Sequence, residues 1–230
     1  MTSKLIIALD FPNAHQAFDF VKLLSPNNCK LKVGFELFVA AGPDFVKRLV
    51  DQGFDVFLDL KFHDIPNTVA AACRRSANLG IWMMNVHASG GKKMLFAAVE
   101  ALKEQDDAPL LIAVSVLTSM DDASLLDIGV KQTAQEQVLK LSIMSKACGL
   151  DGMVCSAQEA ALLRQNLGAE FLLVTPGIRP KGTNQGDQLR IMTPELAMMA
   201  GSSYLVIGRP VTQANDPLRL IEQINMSLAL

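Results

Sequence analysis

The sequence predicts an α/β fold, a single-domain (β/α)8 TIM barrel spanning residues 1–230. Apolar, strand-like runs alternate eight times with amphipathic stretches, the rhythm of βαβ units around a parallel sheet. Asp10, Asp59, Lys61, His87, Thr118, Ser156, Arg179 and Arg209 all fall at or just past the C-terminal ends of those runs, where such barrels assemble their active sites. The first run leads into Leu9-Asp10-Phe11-Pro12-Asn13, without the Gly-rich phosphate turn that a doubly wound open sheet would need.

Each element follows in order. Residues 5–9 form the first strand and 14–24 its helix. The second strand, 30–34, carries Lys30 and Lys32 on one face. Barrel strands are buried on both faces, so both lysines need a reason. Lys30 is read as snorkelling to solvent. Lys32, nearer the C-terminal mouth, is read as functional. A helix follows at 43–52. The third strand, 55–60, grows from an apolar run beginning at Phe54. Its helix is expected at 67–79, with Pro66 suited to a first helical turn because its missing N–H is no loss there. Strand 83–87 precedes helix 92–104. Strand 110–116 precedes a long loop, 119–133, and helix 135–147. Strand 152–155 leads to helix 157–166. Strand 171–175 precedes a second long loop, 177–192, and helix 194–200. Strand 204–207 and helix 217–226 complete the set. Loops this long are uncommon unless functional. Their place over the C-terminal mouth predicts lids.

The chain has 230 residues, 50% of them hydrophobic, enough for one sizeable core. A formal net charge of −2 gives no basic field for nucleic acid. Cys29, Cys73, Cys148 and Cys155 form no C-x-x-C pair and read as buried thiols of a reducing compartment. Met1-Thr2-Ser3-Lys4 shows no leader pattern, and no apolar run approaches the ~18 residues of a membrane helix. A soluble cytoplasmic protein is expected.

Chemistry concentrates in Asp59-Leu60-Lys61-Phe62-His63-Asp64-Ile65-Pro66-Asn67-Thr68. Asp59 and Lys61 share a strand face and Asp64 follows on the loop, crowding two carboxylates and an ammonium at one strand end. Such crowding needs partners or a task. A salt-bridged barrel rim is the plain alternative. With Lys32 the cluster becomes an alternating row of charges, suited to delivering a proton to a developing carbanion. Lys61 is its candidate donor, because arginine cannot release a proton. Asp59 and Asp64 could ligate Mg²⁺, but Lys61 between them would compete. Gly177-Ile178-Arg179 and Gly208-Arg209-Pro210 follow strands seven and eight, where barrels often bind phosphate. Glycine admits backbone N–H groups to an anion, and arginine adds a bidentate grip. His15, His63 and His87 form no metal-like pair, and Cys155 has no evident histidine base.

The decapeptide closely resembles the signature of the orotidine 5′-phosphate decarboxylase family. Matching segments run along the chain: Ala8-Leu9-Asp10, Lys32-Val33-Gly34, Leu117-Thr118-Ser119, Thr175-Pro176-Gly177-Ile178-Arg179, Gly186-Asp187-Gln188 and Ile207-Gly208-Arg209-Pro210. The resemblance implies conversion of orotidine 5′-phosphate to UMP and CO₂, the last step of de novo pyrimidine nucleotide synthesis, with neither metal nor organic cofactor. It implies that Lys61 stabilises and protonates the C6 carbanion while Asp59 lies near the substrate carboxylate. Asp10 and Lys32 would hold ribose hydroxyls and the charge network, and Thr118 and Ser119 would approach the pyrimidine. Arg179, Gln188, Gly208 and Arg209 would bind phosphate. Asp64 and Thr68 would reach the neighbouring site of a homodimer. The alternative is a Mg²⁺-dependent sugar-phosphate aldolase or decarboxylase on a related barrel, such as hexulose-6-phosphate synthase, which shares Asp-x-Lys-x-x-Asp. A phosphosugar isomerase using Glu36 and a catalytically silent ligand-binding barrel are more distant rivals.

Overall fold

The strands pair edge to edge in chain order, and the last returns to the first. They are β1 (Leu5–Ala8), β2 (Lys30–Gly34), β3 (Val56–Phe62), β4 (Met83–His87), β5 (Leu110–Val114), β6 (Gly152–Val154), β7 (Leu172–Thr175) and β8 (Tyr204–Ile207), all parallel in a closed barrel. The computed structural model describes residues 3–103, 105, 107–180 and 192–228. Helices α1 (Ala14–Val21), α2 (Phe35–Asp51), α3 (Pro66–Ala77), α4 (Gly91–Glu100), α5 (Asp122–Asp127), α6 (Ala134–Ala147), α7 (Ala160–Leu167), α8 (Pro194–Met199), α9 (Arg209–Thr212) and α10 (Pro217–Leu228) occupy the connections. None of the described helices is long and apolar enough to cross a membrane.

Strand alternation divides the core in two. Ile6, Ala8, Phe57, Met83, Ile112, Val174 and Val206 fill the barrel interior, while Leu5, Ile7, Leu31, Val33, Leu58 and their neighbours pack outward against the helices. Every one of these strand residues is under a tenth exposed. Burial on both faces is why the strands read as continuous apolar runs.

The structure departs from the sequence expectations most informatively at four places. Helix α2 begins at Phe35 because two helical stretches join across Gly42, whose φ of 71° breaks the turn just before Pro43. Strand β3 continues to Phe62 through an irregularity: Leu58 pairs with Met84, but Phe62 pairs with Val86. The loop at 119–133 holds α5, started by the Asp121 side chain accepting from Ser124 N–H. Lys30 does not snorkel. It is 5% exposed, ion-paired to Asp55, with its ammonium 4.4 Å from the centre of the Trp82 ring at the N-terminal end of the barrel. There a cation–π contact and a carboxylate replace water.

Candidate active site

At the other end, β1, β2 and β3 bring their polar residues together. Lys32 points its ammonium between Asp10 Oδ1 at 3.5 Å and Asp59 Oδ2 at 3.3 Å. Lys61 Nζ lies 2.7 Å from Asp59 Oδ1. Asp59 is 9% exposed, so its charge must be met from within the protein. Burial pushes this carboxyl up, but the charges of Lys32 and Lys61, with hydrogen bonds from Lys61 and Asn85, outweigh burial and hold it below the usual carboxylate range.

The backbone shapes the cluster as much as the charges do. Lys61 has φ 49°, the only positive φ at a non-glycine among the described residues. Such strain clusters at functional sites. It falls in the irregular part of β3, which turns the Lys61 ammonium back over Asp59 and beneath the ring of Phe35, 5.0 Å from its centre. Asn85 secures this turn. Its side-chain oxygen accepts Lys61 N–H at 2.8 Å, and its amide nitrogen donates to Asp59 Oδ1 at 2.7 Å.

A cavity of about 240 Å³ opens above the cluster. Its base is apolar, with Phe57, Val114, Val154 and Val206; its rim carries Asp10, Lys32, Asp59 and Lys61 on one side and Arg179, Gly208 and Arg209 on another, with Thr118 between. Gly208 packs closely against the cluster: an added Cβ would sit 3.2 Å from Asp10 Oδ2, so that carboxylate would have to give by a few tenths of an ångström. Just past β7, Arg179 N–H donates to the Met192 carbonyl at 2.9 Å. Burial drives the Cys155 thiol, on the cavity wall, far above its ordinary range, which leaves it inert as a nucleophile.

Ser119, Asp64 and Thr68 are exposed and do not line this cavity. Asp64 accepts from Ile65 N–H at 2.6 Å and makes no ion pair with Lys61. Gln188 lies outside the described residues. Asn85 is the site residue that the sequence pattern hides. A polar side chain two positions before His87, on its strand face, was the available signal. His87 itself stands 5.5 Å from the His63 ring, and burial, with His63 and Lys61 nearby, favours its neutral form.

The sequence model of the family described as orotidine 5′-phosphate decarboxylase / HUMPS matches residues 3–224. The chain belongs to that family. Among the family's curated members, the orotidine 5′-phosphate decarboxylase of Pseudoalteromonas translucida is 59% identical over 228 residues, covering 99% of this chain and 97% of the relative. That of Vibrio parahaemolyticus is 57% identical over 227 residues, covering 98% and 97%. The crystal structure of the Lactobacillus acidophilus orotidine 5′-phosphate decarboxylase superposes with a TM-score of 0.88 at 40% identity, covering 98% of this chain and 99% of that one. The decarboxylase branch of the family, not the hexulose-phosphate branch, supplies these relatives.

Proposed function

We propose that this chain decarboxylates orotidine 5′-phosphate to UMP. The observation that carries this is the Lys61 ammonium, held 2.7 Å from Asp59 at the mouth of a cavity that two arginines also line. In the reaction the C6–carboxylate bond breaks and CO₂ departs. The electron pair stays at C6 in the ring plane, where the π-system cannot accept it. Lys61 stabilises that charge and gives C6 a proton, then recovers one from water. Enzymes lower barriers by ~8–23 kcal/mol, and this reaction needs the upper part of that range. Asp59 fixes Lys61 and lies beside the departing carboxylate, a ground-state contribution of contested weight.

Asp10 and Lys32 take the ribose hydroxyls, and Thr118, which lines the cavity, takes the pyrimidine. Arg179, Gly208 and Arg209 take the phosphate, together with Gln188. Asp64 and Thr68, exposed beside Ile65 at 67% exposure, complete the site of a second copy in a homodimer. Four free, buried cysteines suit a cytoplasmic enzyme. The donor set disfavours the Mg²⁺-dependent alternative: Lys61, Lys32 and Asn85 engage both oxygens of Asp59, and a cation there would have to displace an ammonium. The test is product analysis. Orotidine 5′-phosphate should yield UMP and CO₂ in equal amounts, and EDTA should change nothing. Cleavage of a hexulose 6-phosphate in its place, lost with EDTA, would overturn the assignment.

A further inference from the structure

Asn85 is fully buried on β4 and is not among the residues lining the cavity. It nevertheless holds two members of the charge cluster. We infer that Asn85 is a positioning residue for the proton donor, fixing Lys61 from both ends. This rests on the decarboxylase assignment above.

The first end is the backbone. Between the Leu58–Met84 and Phe62–Val86 pairings, four steps along β3 face two along β4. A bulged residue loses its ladder partner, and a buried N–H without one is costly. Lys61 lies in this segment at φ 49°, and Asn85 Oδ1 accepts its N–H at 2.8 Å. The side chain thus replaces the missing ladder carbonyl and holds a backbone conformation that lysine does not favour. The second end is the ammonium. Asn85 Nδ2 donates to Asp59 Oδ1 at 2.7 Å, the same oxygen that holds Lys61 Nζ at 2.7 Å.

The carboxamide orientation is fixed by its partners. Lys61 N–H can only donate, and an ionised Asp59 can only accept. Asparagine offers one acceptor and one donor across a short side chain. Aspartate of the same shape keeps the acceptor but loses the donor, and leucine loses both. Proton transfer demands placement: a misplacement of about 1 Å can cost on the order of 100-fold in rate. Loss of Asn85 should therefore slow chemistry and leave binding alone.

Asn85→Leu and Asn85→Asp should each lower kcat by about 10- to 100-fold. UMP affinity should stay within about threefold of wild type, as expected when only transition-state interactions are lost. Asn85→Asp should also move the acid limb of the kcat profile to higher pH. It removes a donor from Asp59 and adds a carboxylate to a group faced by Lys32 from β2, Lys61 from β3, His87 from β4 and, through Lys32, Asp10 from β1. If the leucine variant does not fold, the aspartate variant decides alone. Wild-type kcat in either folded variant, or kcat and UMP affinity falling together, would overturn the positioning role. Wild-type protein without turnover would instead strike the decarboxylase assignment itself.

Discussion

At the residue scale, the site is a carboxylate held charged inside the protein by two ammonium groups. Asp59 is depressed below its ordinary 3.8, so its contribution to stability is complete above that pH and is lost as pH falls through the lower folded value. The unfolding free-energy difference between wild type and Asp59→Asn should therefore shrink in acid below about pH 3.8; a difference constant with pH would contradict the ion network. Arg209 lines the cavity at the end of β8 and, in the proposed reaction, does no chemistry at C6. Losing one charge-assisted contact costs ~1.5–3 kcal/mol, so Arg209→Ala should lower kcat/KM for orotidine 5′-phosphate by about one to two decades. The dephosphorylated nucleoside should be turned over as before, and equal losses on both would contradict a phosphate grip. Asp59, Lys61 and Lys32 were legible because charges in buried strands are rare, and Asp10 because it lies just past the end of a strand. Asn85 was not, since a single polar residue between Met84 and Val86 has no signature until its partners in space are known.

At the element scale, alternation of apolar runs sufficed to find all eight strands, because both faces of each are buried. Boundaries failed where local geometry overrides pattern. The β3 irregularity adds residues that alternation cannot foresee, and Gly42-Pro43 hid the first half of α2. Lys30 misled because a lysine with a carboxylate and an indole beside it, far apart in sequence, cannot be told from one reaching solvent. The long segment 119–133 looked structureless because the helix it contains is six residues long. Helix α6 is opened by a reciprocal cap between Thr133 and Glu136. Thr133→Ala should destabilise the protein by about 1 kcal/mol and lower Tm by roughly 2–4 °C, read by calorimetry. An unchanged Tm would show that α6 is held by packing alone.

At the scale of the whole molecule, the barrel gathers residues from distant strands at one end, and the decapeptide extends from that end to an exposed edge. Asp64 and Lys61, three positions apart, do not meet within the chain. If Asp64 acts across a dimer, mixing Lys61→Ala and Asp64→Ala chains should restore about a quarter of wild-type activity. Half the dimers would then be mixed, each with one intact site. No recovery after verified subunit exchange would mean that each site is built within one chain. The fold and the inward-facing cluster could be read from one sequence; what covers the exposed loop at Asp64 could not, because nothing in a strand pattern specifies a partner. The proposed role of Lys61 is to stabilise and protonate C6. Its most direct test is kcat of folded Lys61→Ala on orotidine 5′-phosphate, followed by loss of substrate absorbance. Nearly all turnover should disappear, whereas a variant keeping more than about a tenth of wild-type kcat, a loss below ~1.4 kcal/mol, would contradict it.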